Sequence, residues 1–151
     1  MAADALERAL EALARKERTT AELERWLTGR GFEPEEVAAA IARLVEIGEL
    51  DDARFARRYA EDKRELRGWG PERIRETLTA RGLEAEPIEA ALAGEAHGDQ
   101  VERAVGLLER RGEALEGDAS RGRALAYLVR RGYDSEVAYA AVRRCAAPGG
   151  A

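Results

Sequence analysis

The chain has 151 residues, a formal net charge of -5, and 45% apolar but only 5% aromatic side chains. Ala, Leu, Arg and Glu favour helices, whereas the β-branched and aromatic residues that favour strands are scarce, so the composition predicts an all-α protein. No stretch is long and apolar enough to be a signal peptide or to span a bilayer, and the single cysteine, Cys145, excludes an intramolecular disulfide. We therefore expect a cytoplasmic protein without membrane contact.

The first predicted helix covers residues 5–15, in which Leu6, Leu10 and Leu13 recur at helical spacing. The stretch from Thr19 to Glu22 fits a capping box and predicts the start of the second helix. The third helix is predicted to start at Pro34, because proline is tolerated in the first turn of a helix.

The segment that joins the second and third predicted helices recurs twice. Arg-Gly followed by a large apolar residue stands at residues 30–32, 81–83 and 131–133, so the glycines are 51 and 50 residues apart. Glycine at a helix end adopts the left-handed conformation, and the apolar residue after it packs back on the last turn. Each repeat is therefore predicted to be a helix, a tight turn and a second helix.

One further helix precedes each of these pairs, which gives nine helices in three units. The predicted fold is an array of three tandem three-helix repeats, at residues 1–49, 50–94 and 95–145, followed by a disordered tail at residues 146–151. Units of about fifty residues are too small to be very stable alone, so neighbour contacts should carry much of the stability.

The middle repeat opens with residues 52–67, where a helical wheel places Phe55, Tyr59 and Leu66 on one buried stripe. Pro71 predicts the start of the next helix. Pro87 lies two residues deeper after its glycine than Pro34 does, which predicts that the last helix of this repeat starts later and is short.

The last repeat is predicted to begin with a helix over residues 99–111, after a linker at residues 94–98 and before a loop at residues 112–118. Ala124 and Ala138 stand where the other two repeats have larger apolar residues, so the core of this repeat should be thinner.

No catalytic constellation is present in the sequence. His97 is the only histidine and lies in a predicted linker, and no phosphate-binding GxxxxGK[ST] loop occurs. Asp51 and Asp52 fit a helix N-cap followed by an acid in the first turn better than a pair of magnesium ligands. We expect no enzymatic activity, no cofactor and no metal.

Positive charge is concentrated in the middle of the chain. Residues 54–81 carry net charge +4, whereas residues 1–53 carry -6 and residues 82–151 carry -3. Nearly all of these cations are arginines, which make forked hydrogen bonds to carboxylates and phosphates. The predicted partner-binding residues are Arg54, Arg57, Arg58, Lys63, Arg64, Arg67, Trp69, Arg73 and Arg75. A weaker cluster comprises Arg121, Arg123, Arg130, Arg131, Arg143 and Arg144.

These residues have alternative interpretations. Any single arginine can belong to a solvated helix face with exposed ion pairs. Trp69 lies between two glycines and is either a wedge between helices or an anchor for a partner. The net charge argues against a stand-alone DNA-binding protein, because phosphate neutralisation supplies most non-specific affinity. Contact with DNA should be weak and salt-sensitive, and the acidic first repeat should turn away from phosphate.

The run from Leu50 to Ala56, Leu-Asp-Asp-Ala-Arg-Phe-Ala, is followed by Tyr59, Gly68-Trp69-Gly70-Pro71, Arg73-Ile74, Leu78 and Arg81-Gly82. This combination resembles the signature of the bacterial regulatory protein RecX family, over about residues 6–145. The resemblance implies a small, elongated all-helical protein that binds the RecA recombinase filament on DNA. It further implies that the protein modulates, chiefly inhibits, RecA-driven ATP hydrolysis, strand exchange and co-protease activity in DNA repair, recombination and the SOS response.

We expect a monomer that acts on the RecA nucleoprotein filament. Two other interpretations stay open. A direct DNA-binding protein with helix-turn-helix-like units should hold duplex DNA without RecA and with a steep salt dependence. A passive helical scaffold should instead bring down an unrelated partner in a pull-down.

Overall fold

The computed structural model describes residues 2–147, and within this range the protein is all α-helical, as predicted, with nine α-helices and no strand. The helices are α1 (Ala2–Arg15), α2 (Thr20–Gly29), α3 (Pro34–Glu46), α4 (Asp52–Asp62), α5 (Pro71–Ala80), α6 (Ala85–Leu92), α7 (His97–Arg111), α8 (Asp118–Arg130) and α9 (Ser135–Ala146). A single π-helical turn, Lys63–Arg67, follows α4. None of these helices is long and apolar enough to cross a bilayer. Of the predicted tail, Ala146 is the last residue of α9, and residues 148–151 lie outside the described residues.

The helices form two compact units, each with its own apolar core. One unit comprises the residues up to Arg58 together with Leu78–Ala91, and its core includes Leu23, Leu27 and Leu44. The other comprises Tyr59–Thr77 together with the residues from Leu92 onward. Its core includes the predicted small residues Ala124 and Ala138, and the buried ring of Tyr133 lies among them. The repeat boundaries stay a prediction.

The three Arg-Gly corners have the predicted geometry. Gly31, Gly82 and Gly132 have φ values of 91°, 90° and 105°, the left-handed region that favours glycine. Each glycine N–H donates to the carbonyl three residues earlier at 3.0 Å, and the next N–H donates to the leucine carbonyl five residues earlier at 3.4, 3.2 and 3.1 Å. This double hydrogen bond is the Schellman motif, and the three leucines that accept it are buried.

The buried face of α1 is not the row of leucines that recurs at helical spacing in the sequence. Three alanines form it: Ala5, Ala9 and Ala12. Leu10 is 38% exposed, while Leu6 and Leu13 pack only at the edge of the core. Helix α1 packs against α3, and small side chains allow two helix backbones to approach closely, so the leucines lie beside the contact instead of inside it. The helix is present as predicted, and each of its buried alanines lies one position before one of these leucines.

Leu66 is also misplaced by the helical wheel. Phe55 is buried as predicted, but the Leu66 side chain is 78% exposed. The wheel assumed 3.6 residues per turn throughout, whereas Lys63–Arg67 is a π-helical turn with one extra residue per turn. The wider turn rotates every later side chain, and Leu66 therefore leaves the stripe that Phe55 begins.

The helix starts follow the cap signals in most cases. Thr19 and Glu22 form the predicted capping box, with Thr19 N–H to Glu22 Oε1 at 3.0 Å and Glu22 N–H to Thr19 Oγ1 at 3.1 Å. Pro34 and Pro71 are the first residues of α3 and α5, as predicted.

Two predicted helix starts are wrong. Helix α6 is short, as expected, but begins at Ala85, so Pro87 is its third residue. The first four N–H groups of a helix have no acceptor within it, so proline loses no hydrogen bond there. Helix α7 begins at His97, inside the predicted linker.

The second Arg-Gly corner docks on the start of α2, within the first unit. The Thr19 hydroxyl donates to the Arg81 carbonyl at 2.9 Å. Arg81 Nε and Nη2 donate to the two carboxylate oxygens of Glu22, both at 2.9 Å. A Cβ on Gly82 would lie 2.5 Å from the Cβ of Ala21, so the backbones are too close for a side chain.

Candidate partner-binding surface

The Gly-Trp-Gly-Pro turn starts where the π-helical turn ends. Gly68 has φ 65° and caps this turn, with its N–H donating to the Arg64 carbonyl at 3.1 Å. The N–H of Trp69 donates to the Lys63 carbonyl at 3.1 Å. These bonds fix the direction in which the indole of Trp69 leaves the backbone.

The third Arg-Gly corner holds this turn by hydrogen bonds within the second unit, and we call this arrangement the clamp. Gly70 N–H donates to the Arg131 carbonyl at 2.8 Å, and Glu72 N–H donates to the Gly132 carbonyl at 2.9 Å. Arg131 Nη2 also donates to the carbonyl of Arg67. A Cβ on Gly70 would lie 2.5 Å from the backbone of Gly132, so residue 70 must be glycine for reasons of space.

The buried side chain of Tyr133 adds one more hydrogen bond to the clamp. Its hydroxyl donates to the Gly68 carbonyl at 3.0 Å in a buried hydrogen bond. Burial raises the pKa of the Tyr133 phenol far above its ordinary value, so the hydroxyl stays a protonated donor at any physiological pH.

Trp69 is the centre of a cluster of rings and cations. The ring centroids of Trp69 and Tyr59 are 6.4 Å apart with an edge-on angle of 62°. The guanidinium carbon of Arg73 lies 4.1 Å from the Trp69 centroid, and Lys63 Nζ lies 5.0 Å from the same centroid and 5.3 Å from that of Tyr59. We call these four residues the Trp69 cluster. All four are half-buried, so the cations are held on the rings and still reach solvent.

This arrangement bears on both interpretations of Trp69. The edge-on contact with Tyr59 is a packing contact inside the second unit. The partly exposed ring with two cations on it is also the kind of surface that supplies binding hot spots. Packing therefore holds the ring in place, and the role of Trp69 as an anchor stays a prediction.

Arg64 differs from the exposed arginines of the predicted set, because its guanidinium is engaged internally. Its side chain is only 12% exposed, and its Nε lies 3.5 Å from Oε1 of Glu95, whose side chain is 5% exposed. Arg103 donates from Nε to the other Glu95 oxygen at 3.0 Å and from Nη1 to the Arg64 carbonyl at 2.8 Å. The helical wheel placed Arg64 on the solvated arc with Arg54, Arg57 and Arg58, but its side chain is largely buried and pairs with Glu95.

Three predicted binding residues lie on α4 within the first unit. Arg57 and Arg58 are exposed, and Arg54 is half-buried. Arg58 Nη1 lies 3.5 Å from Oε1 of Glu17 in an exposed pair, which contributes little to stability. Arg58 can therefore exchange Glu17 for another carboxylate at a small cost in free energy.

The remaining predicted residues belong to the second unit. Arg67 is exposed, and only its backbone carbonyl takes part in the clamp through Arg131. Arg75 is half-exposed and donates to Glu72 Oε1 at 2.6 Å within α5. In the weaker cluster, Arg123 pairs with Glu113, Arg144 pairs with Glu102 and Arg131 belongs to the clamp.

Sequence reasoning placed Tyr59 in the core and missed its contact with Lys63. The signal was available, because residues four apart on a helix are neighbours and a tyrosine four residues before a lysine can receive its ammonium group.

Other chemistry-bearing side chains have structural roles. Asp51 Oδ1 accepts from the Arg54 N–H at 3.0 Å, as predicted for an N-cap, and Asp52 Oδ1 accepts from the N–H and hydroxyl of Thr20. Burial raises the pKa of the Cys145 thiol, which lowers its reactivity. Between residues 2 and 147 no group of three metal-ligating side chains is close enough to hold a metal ion.

Comparison with known proteins identifies the family. The family model described as the first three-helix domain of RecX matches residues 5–44, and that of the second three-helix domain matches residues 51–92. The chain is 43% identical over 133 residues to "Regulatory protein RecX" of Stenotrophomonas maltophilia (strain R551-3), covering 87% of this chain and 80% of the relative. The chain belongs to the RecX family. A second RecX, from Xanthomonas oryzae pv. oryzae (strain MAFF 311018), is 42% identical over 140 residues, covering 91% and 86%.

Solved RecX structures share the fold. The crystal structure of RecX from Lactobacillus salivarius superimposes with a TM-score of 0.86 at 20% identity, covering 94% of both chains. A structure titled "Crystal structure of regulatory protein RecX" gives a TM-score of 0.77 at 23% identity, covering 90% of this chain and 68% of the other. The Trp69 cluster lies inside the second matched RecX domain, whereas the corner that clamps its turn lies beyond both matched ranges.

Proposed function

We propose that this RecX-family protein binds the RecA recombinase filament and inhibits its ATPase, strand-exchange and co-protease activities, without catalysing a reaction itself. The observation that carries the proposal is the match of both RecX domains, together with relatives named as regulatory proteins. The place of action is then the cytoplasm, where the filament forms.

The Trp69 cluster is the surface we propose for the main contact. Arg73 and Lys63 are already held against the indole, so they lose less conformational freedom on binding than free side chains do. A guanidinium stacked on a ring keeps the N–H groups at its edge for in-plane hydrogen bonds to a carboxylate. Arg67 adds exposed positive charge in the same unit, and Arg75 adds a half-exposed guanidinium that is paired with Glu72.

Carboxylates of RecA protomers fit this surface better than DNA phosphates do. The chain has net charge -5, and its positive excess is confined to residues 54–81. A phosphate backbone would meet repulsion from the rest of the chain, whereas a local acidic patch on a protein needs only the local cations. Arg54, Arg57 and Arg58 of the first unit are proposed to make further contacts of the same kind.

The experiment is a titration of the protein into RecA with single-stranded DNA while ATP hydrolysis is followed. Inhibition at less than one protein per RecA protomer is expected, and no effect at any ratio would reject the proposal. Adding the protein before or after filament assembly distinguishes capping of the filament end from binding along the filament. A larger effect on growing filaments indicates end-capping, and an equal effect indicates binding along the filament.

A further inference from the structure

A second cluster of arginines around an indole lies in the first unit. Trp26 of α2 is half-buried, and the guanidinium carbons of Arg18 and Arg30 lie 5.3 and 4.6 Å from its ring centroid. Arg25, one residue before Trp26, is exposed. A depression of about 350 Å³ beside the ring is lined by Lys16, Arg18, Glu22, Arg25 and Trp26. We call Arg18, Arg25, Trp26 and Arg30 the Trp26 patch.

Arg30 belongs to the first Arg-Gly corner, and the equivalent corners both dock on the start of a helix. In the second corner, Arg81 binds the carboxylate of Glu22 with two hydrogen bonds of 2.9 Å at the start of α2. In the third corner, the Arg131 carbonyl accepts from Gly70 immediately before α5. The same local structure therefore binds the start of a helix at two places in the protein, and we call this arrangement the receptor geometry.

The first corner is open by comparison. The side chain of Arg30 forms no ion pair with any residue from 2 to 147, and its contact is the stacking on Trp26. A Cβ added to Gly31 would meet nothing within 4 Å, whereas one added to Gly82 or Gly132 would collide with the docked segment. Arg30 and Gly31 thus repeat the receptor geometry without an occupant among the described residues.

The patch has the charge and donors to bind a carboxylate. Arg18 Nε is buried and has no hydrogen-bond acceptor within the described part of the chain. A buried donor without a partner costs free energy, which an incoming carboxylate would recover. Phosphate is the weaker candidate, because residues 1–53 carry net charge -6 and would repel a continuous polyanion.

We propose that the Trp26 patch is a second protein-binding surface, which takes the acidic first turn of a helix on the partner and seats its carboxylate on Arg30 as Glu22 is seated on Arg81. The inference rests on the proposed function, since it takes that partner to be a RecA protomer. A protein that contacts a filament through two surfaces gains affinity from the high effective concentration of the second contact. Loss of either surface should then weaken binding without abolishing the fold.

The test compares two double charge reversals in equilibrium co-sedimentation with RecA filaments assembled on single-stranded DNA. Arg18→Glu with Arg30→Glu changes the patch. Arg8→Glu with Arg43→Glu is the matched control, because these arginines lie in the same unit and, among the described residues, pair with the exposed Glu11 and Glu46 on their own helices. We expect the patch variant to raise the Kd about tenfold or more and the control to change it by less than about threefold.

Thermal unfolding followed by circular dichroism checks that both variants fold. If the patch variant does not, Arg30→Gln removes the charge with little change in size and is expected to raise the Kd while keeping the melting temperature. Equal Kd values for the patch and control variants would overturn this inference and leave the proposed function standing. Failure of the unaltered protein to bind filaments would overturn both.

Discussion

Arg81 binds Glu22 through two hydrogen bonds of 2.9 Å, although 59 residues separate them in the sequence. The same carboxylate accepts from the Thr19 N–H and so closes the capping box of α2. The Glu22 carboxylate therefore caps the start of α2 and also holds the second Arg-Gly corner against that helix.

This relationship predicts a pH-dependent contribution to stability. Burial raises the pKa of Glu22, but the hydrogen bonds from Arg81 and the Thr19 backbone outweigh burial and hold that pKa below its ordinary 4.5. A lowered pKa means that the contribution is complete above about pH 4.5 and is lost as the pH falls through the folded-state value. Glu22→Gln keeps the capping geometry and removes the charge, so it should cost about 1 kcal/mol at pH 7.

Urea unfolding at pH 7 and at pH 3 measures this difference. We expect the gap between the unaltered protein and Glu22→Gln to shrink at pH 3. Glu24→Gln, at an exposed position of α2, is the control and should change little at either pH. A gap of equal size at both pH values would show that charge does not carry the Arg81 contact.

Gly70→Ala should destabilise the second unit, because the added Cβ would lie 2.5 Å from the backbone of Gly132. Neither backbone can move without breaking the two hydrogen bonds of the clamp, so a loss of about 1–3 kcal/mol is expected. Gly122→Ala is the matched control. Gly122 lies inside α8 with nothing within 4 Å of the added Cβ, and alanine there should stabilise by about 0.5–1 kcal/mol. Effects of the same sign in the two variants by urea unfolding would contradict the clamp.

Phe55 and Leu66 should respond very differently to truncation. Phe55 is 5% exposed and Leu66 is 78% exposed, although a regular helix would place them on one stripe. Phe55→Ala should cost about 3–5 kcal/mol. Leu66→Ala should stay within about 0.5 kcal/mol. Comparable losses in chemical denaturation would mean that α4 continues as a regular helix through residues 63–67.

Tyr133→Phe removes a single buried hydroxyl, the one that donates to the Gly68 carbonyl at 3.0 Å. The carbonyl would lose that donor inside the protein, so a loss of about 1 kcal/mol is expected with the helical content unchanged. Equilibrium unfolding of the variant measures the loss. Unchanged stability would show that the hydroxyl does not hold the Gly-Trp-Gly-Pro turn.

Arg57→Glu with Arg58→Glu should leave helicity and the melting temperature nearly unchanged, because both side chains are exposed and the pair of Arg58 with Glu17 is a weak surface contact. Inhibition of RecA should nevertheless weaken if α4 contacts the filament. Loss of the fold would instead show that these arginines are structural.

The sequence predicts well the features that depend only on residues close together in the chain. The Arg-Gly corners follow from glycine, the leucine four residues earlier and the apolar residue after it, and the Thr19 capping box needs only four residues. Each of these signals acts within one or two helical turns.

Features that depend on distant residues were not predictable in the same way. Arg64 has the sequence context of a surface arginine, but its side chain is only 12% exposed where it pairs with Glu95, 31 residues away. Gly70 resembles an ordinary turn glycine in the sequence, but the backbone of Gly132 leaves no room for a side chain at this position. The π-helical turn has no local signature, so the position of Leu66 followed from a wrong assumption about helical phase.

The most direct test of the central claim is inhibition of RecA ATPase by two charge-reversal variants of the second unit. Lys63→Glu with Arg67→Glu alters the proposed surface, and Arg110→Glu with Arg130→Glu reverses two exposed arginines outside the Trp69 cluster. The account predicts that the first pair raises the concentration needed for half inhibition about tenfold or more while the second pair leaves it nearly unchanged. Equal inhibition by both variants and the unaltered protein would contradict it.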